Sequence, residues 1–184
     1  RSGDVTNIGS ILADAGRIGL VGAAVKVGGL LNASASNVVN DGGRIFLKAS
    51  QDIKIDSAGR INADGASGGA ISVDALGTVQ VSGQLTASGA QGLGGSVDIL
   101  GANVGLNGFA RVDVSGVSGG GSVRVGGDFQ GKNAAVRNAQ FTYFGSGASI
   151  VADGVNEGNG GRVILWADDT ARVYGSISAQ GGSL

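Results

Sequence analysis

Apolar residues in this chain stand two apart in short runs, and the runs return at a fixed interval. A Gly-Gly pair followed by alternating positions starts at Gly42 (GGRIFL), Gly68 (GGAISV), Gly94 (GGSVDI), Gly120 (GGSVRV) and Gly160 (GGRVIL). The first three intervals are equal, at twenty-six positions each, and the fourth is forty. A weaker copy, AGRIGL, begins at Ala15, twenty-seven positions before Gly42. A spacing of two is the strand period, since successive side chains of a strand face opposite ways. Each repeat holds three such stretches. In one they are Ile71 to Val73, Val79 to Val81 and Leu85 to Ala87; in the last they are Val163 to Leu165, Ala171 to Val173 and Ile177 to Ala179. Gly, Asn, Asp and Ser fill the gaps, which is turn chemistry. No stretch carries a sustained helical period.

A repeat of this length is the mark of a solenoid. Three short strands in each repeat predict an all-β fold, a parallel β-helix whose coils hydrogen-bond to those above and below at ~4.8 Å. Ile45, Ile71, Val97, Val123 and Val163 share one register. Leu47, Val73, Ile99, Val125 and Leu165 share the next inward one, so both columns should be buried. Asp98 and Arg124 fall on one outward position in consecutive coils, where an ion pair is expected. The Gly-rich corners are expected to need positive φ or tight bends, and stability should accumulate coil by coil. The chain enters at Arg1 just before a second-strand segment, Val5 to Ile11, and stops at Leu184 in the turn after a third strand. With neither end reading as a cap, residues 1–184 are expected to form a single segment of a longer rod. Neighbouring coils of the same or another chain would then lie at both ends.

The longer interval exceeds the period by fourteen positions, which predicts a loop insertion at about 126–140, between the first and second strands of its coil. Phe129, Lys132, Val136 and Arg137 lie in it, and Phe141, Tyr143 and Phe144 follow it. Long loops on a regular scaffold often carry function. Leu100, Gly126 and Trp166 should line up as an apolar strip on the outer face. The loop is expected to fold back over that strip, with Phe129 or Val136 against Trp166 or Leu100. The competing reading makes Phe129, Lys132, Arg137, Phe141, Tyr143 and Trp166 a candidate binding surface for a carbohydrate or a matrix.

Composition removes much chemistry. The 184 residues include 38 Gly and no Pro, Cys, Met or His. Without His or Cys there is no imidazole base, thiolate nucleophile, disulfide or His-based metal site. A formal net charge of -1 gives no electrostatic case for nucleic acid, which wants a basic stripe. No apolar run approaches the ~18 residues of a membrane span. Asp168 and Asp169 form the one adjacent acidic pair. Neighbours at a strand end point to different sides, whereas an enzyme would place its acids on one face of successive coils. In register, Asp168 aligns with Leu76, Ala102 and Asp128. We therefore expect no catalytic residues, and a turn-capping role for Asp168. The calcium-binding nonapeptide pattern does not follow any Gly-Gly pair, so no metal site and no cofactor are expected.

Several stretches together resemble filamentous-haemagglutinin-type exoproteins, the large substrates of two-partner secretion. These are VRVGGDFQG, NAQ with Thr142, GNGGRVILWAD and YGSISAQGG, with GSILADAGRIGLVGAAVKV and DGGRIFLKA before them. The resemblance spans essentially the whole chain, and Trp166, Ala167 and Asp168 are its most specific part. It implies a right-handed β-helix and export through an outer-membrane transporter of a Gram-negative bacterium. It also implies a secreted or cell-surface location, and a role as the shaft of an adhesin in adhesion or biofilm formation. A polysaccharide or a host surface would be its further partners. The family's secretion domain carries Asn-Pro-Asn-type motifs, and this chain has no Pro. The secretion signal is therefore expected outside this segment.

Overall fold

In the computed structural model, which describes residues 3–37 and 39–183, the alternating runs become three all-parallel sheets of six, seven and seven strands. Arg1 and Leu184 lie outside the described residues. Each coil gives one strand to each sheet. One full coil is Ala70–Ala75 in the first sheet, Thr78–Val81 in the second and Gln84–Thr86 in the third. Every strand pairs with its counterpart one coil away, so sequence neighbours at one period become spatial neighbours.

The two predicted first-sheet columns pair residue for residue, Ile45 on Ile71 on Val97 on Val123 on Val163, and Leu47 on Val73 on Ile99 on Val125 on Leu165. All are buried except Val163 and Leu165 in the last coil, which pack on the core while remaining half-buried. Matching columns of the second and third sheets close a narrow core of Ile, Val, Leu and Ala. Phe144 is the one aromatic side chain in it, paired with Leu106 and Val173. Gly175 gives its ring room: a Cβ there would sit 2.7 Å from Phe144 Cε1.

The recurring Gly-Gly pairs have a different reason from the expected one. None of the ten glycines in the five pairs has positive φ. They are required by close approach between coils. A Cβ on Gly43, Gly69, Gly95, Gly121 or Gly161 would collide with the carbonyl oxygen of Gly16, Gly43, Gly69, Gly95 or Gly121 respectively. The first member of each pair meets the carbonyl at the end of the following third strand, that of Ala63 for Gly42 and of Ala87 for Gly68. The pairs form a ladder along one corner where backbone packs on backbone.

The extra residues divide between two places. Between the first and second strands, Val125 and Thr142 stand seventeen positions apart where Ile99 and Val104 stand five apart, which puts twelve in the insertion. The other two lengthen the corner that follows the third strand of that coil, because Ile150 and Val163 stand thirteen positions apart where Val112 and Val123 stand eleven apart. The coil path leaves at Gly126 and resumes at Ala139, whose N–H donates to the Gly126 carbonyl at 2.6 Å. Ala139 is fully buried and takes the coil position that follows. Asp168 therefore lies over Ala139, its N–H on that carbonyl at 2.8 Å, and not over Asp128. At the start of the chain, Val5 to Ile11 is not one strand. It holds Val5–Asn7 of the second sheet and the beginning of Ser10–Leu12 of the third.

Candidate functional site

Two outward faces carry the chemistry. The first is the outer face of the first sheet, where residues 127–138 lie. Arg124 reaches from its strand to Asp98 one coil away, with Nε and Nη2 each 2.7 Å from a carboxylate oxygen. Its Nη1 also donates to Asp128 at 3.1 Å. Asp128 accepts from Asn133 Nδ2 and from the Phe129 N–H, both at 2.7 Å. Those two bonds, with Arg124, hold its carboxyl well below the ordinary range, at about 2. The root of the loop is thus fastened to the shaft by a charged network. A short 3-10 turn, Phe129–Gly131, follows Asp128.

The loop does fold back over Trp166, and it does so with glycine. Gly127 and Gly131 lie against the indole; a Cβ on either would fall 2.8 Å from Cδ1 or Nε1. Trp166 is half-buried, and its indole N–H donates to Asp168 Oδ1 at 2.9 Å. The Asp168 carboxylate thus serves the tryptophan, where a turn cap was expected. The Trp166 carbonyl accepts from the buried Thr142 hydroxyl at 2.7 Å. Leu100 is buried. Phe129 stands 61% exposed with the Arg162 guanidinium 5.9 Å from its ring centre. Lys132 is exposed, and Arg137 pairs with Asp74 at 3.4 Å.

The second face is the outside of the second sheet. Two outward columns run along it: Thr78, Asn103, Phe141 and Thr170, and beside them Gln80, Gly105, Tyr143 and Arg172. Gly105 has no side chain between Gln80 and Tyr143, and a groove of about 470 Å³ opens there. Phe141 and Tyr143 are 51% and 42% exposed on its wall. Tyr174 props Tyr143, the ring centres 5.9 Å apart and tilted by 56°.

The six residues proposed as one binding surface therefore divide. Phe129, Lys132, Arg137 and Trp166 belong to the insertion face; Phe141 and Tyr143 belong to the groove on the next sheet. The split follows from the strand period and the coil path. Phe141 and Tyr143 are outward positions of a regular strand, Phe141–Phe144, while of the first four all but Trp166 hang on a loop whose path no period fixes. Gln80, Asn103, Asn107 and Arg172 were not singled out in the sequence, although the outward register of Tyr143 with Arg172 and Gln80 would have pointed to two of them.

No helix among the described residues is long and apolar enough to cross a membrane. No protein-family model matches the chain, and no curated protein matches it. Among solved structures the chain is similar to the crystal structure of the HMW1 secretion domain from Haemophilus influenzae, with 26% identity and a TM-score of 0.63, over 100% of this chain and 59% of that one.

Proposed function

We propose that the chain is a shaft segment of a secreted bacterial surface adhesin. It would be exported through a partner transporter of a Gram-negative outer membrane, in the manner of two-partner secretion exoproteins, and would support adhesion or biofilm formation. It would do so without turning over a substrate. The likeness along its whole length to a secretion domain supports the export part of this reading. The observation that carries the shaft part is the continuity of the three sheets. Their core columns stack coil on coil through all three sheets without a break. A rod assembled coil on coil transmits length and rigidity, and its stability is a sum of neighbour interfaces.

Removing one whole coil tests the reading. Excising residues 42–67 takes out one full period and joins Asp41 to Gly68 in register. In the producing bacterium the shortened protein should still be secreted, and attachment or biofilm should be unchanged. Attachment lost from a protein that is secreted and folded would defeat the shaft reading, because the segment itself would then be doing the binding.

A further inference from the structure

The groove on the second sheet is not explained by a shaft. Its lining comes from successive coils: Gln80, Asn103 with Asn107, Tyr143, and Arg172. No carboxylate lines it. Among the described residues Arg172 makes no ion pair, whereas Arg111, Arg124, Arg137 and Arg162, the four other arginines of the last four coils, each stand against an aspartate. The exposed tyrosine packs at a tilt against Tyr174. A shaft face would be expected to be evenly polar; this one combines an aromatic wall, side-chain amides and one uncompensated guanidinium around a gap made by Gly105.

We propose that this groove binds a linear anionic polysaccharide bearing sugar carboxylates. An aromatic ring offers an apolar platform for the C–H face of a pyranose. The amides of Gln80, Asn103 and Asn107 can both donate to and accept from hydroxyls, and a guanidinium pairs a carboxylate through two parallel N–H bonds. Coils stack at ~4.8 Å, close to the rise of one pyranose along an extended chain. Gln80 to Arg172 spans three coil steps, or roughly 14 Å, and therefore about three sugars laid along the rod. Charge selects the ligand: an anionic chain finds a cation and no carboxylate among the lining side chains, while a neutral chain leaves Arg172 unused.

Titrating the whole chain with hexagalacturonate tests the proposal, followed by calorimetry and by amide NMR shifts, with cellohexaose as the neutral counterpart. We expect saturable binding that shifts the amides of Gly105 and Tyr143 and weakens as salt rises. Arg172→Gln and Tyr143→Ala should each weaken it at least tenfold. Both side chains are exposed, so the circular dichroism of both variants should match the parent. A chain lacking residues 127–138 should bind as tightly as the parent, because no residue of the insertion lines the groove. Absence of shifts in the groove, equal binding of cellohexaose, unchanged affinity in both variants, or loss of binding only with the insertion would each overturn the assignment.

Discussion

Thirteen of the fourteen acidic residues are aspartate, and the coil spacing explains the choice. Asp4, Asp14, Asp41, Asp52, Asp64 and Asp153 each accept from the backbone N–H of a residue one coil on: Ala24, Ser36, Ser67, Thr78, Ser88 and Gln180. A short carboxylate spans ~4.8 Å with few rotamers to lose, whereas glutamate would lose more side-chain entropy for the same bond. Hydrogen bonds from the Ser36 side chain and backbone hold Asp14 below the usual carboxylate range. Asp128 carries the largest such shift, to about 2 from 3.8, through Asn133, the Phe129 N–H and Arg124. A depressed value means that the folded loop favours the ionised form. That stabilisation is whole above roughly pH 4, declines as the pH falls, and is lost once it passes about 2. Acidification across that window should therefore loosen the loop at its root. Protection of the amides of residues 129–133 against exchange, taken relative to the intrinsic rate at each pH, should fall there, and Asp128→Asn should remove that pH dependence.

At the scale of the element, the Gly-Gly corner decides how closely one coil can sit on the next. A methyl group on Gly95 would collide with the Gly69 carbonyl, which is backbone and cannot swing aside. Gly95→Ala should therefore lower unfolding stability by about 1–3 kcal/mol, the usual cost of overpacking a tight contact. Thermal or denaturant unfolding measures it. An alanine at the exposed Gly3 or Gly9, where a Cβ meets nothing within 4 Å, should be nearly neutral and serves as the comparison. The Asp98–Arg124 pair works at the same scale in the opposite sense. Its register fixes the strands beside each other, while its partial exposure, 22% and 27%, keeps its contribution to about 1 kcal/mol or less.

For the whole molecule, the rod is a stack roughly 30 Å tall at ~4.8 Å per coil, interrupted on one face only by residues 127–138. Because Ala139 continues the coil that Gly126 leaves, the loop is an addition to the solenoid and not a part of its frame. Deleting residues 127–138 and joining Gly126 to Ala139 should leave the β-sheet circular dichroism intact. It should also uncover Trp166, the one tryptophan, so that its emission moves to the red and iodide quenches it more readily. Collapse of the sheet signal would mean that the loop helps to build the coil. An unchanged emission would mean that the loop does not cover the indole.

The amino-acid sequence by itself determined the period, the inward columns and the Asp98–Arg124 contact. Parallel strands stacked in register turn a fixed sequence separation into spatial adjacency, so a residue and its counterpart one period on must touch. The fold class followed from nothing more than alternation and repeat length. Only the tertiary structure decided the rest, wherever contacts lack a fixed separation. It showed that the Gly-Gly pairs answer to carbonyls of neighbouring coils and not to their own dihedral angles. It divided the extra residues between a loop and a corner, and set Gly127 and Gly131 on Trp166. It also turned Phe141 and Tyr143 away from the insertion, onto a groove shared by four coils. A loop's path is set by what it packs against and carries no period; the groove's columns share a register, but whether the gap at Gly105 opens into a groove depends on how the side chains around it pack.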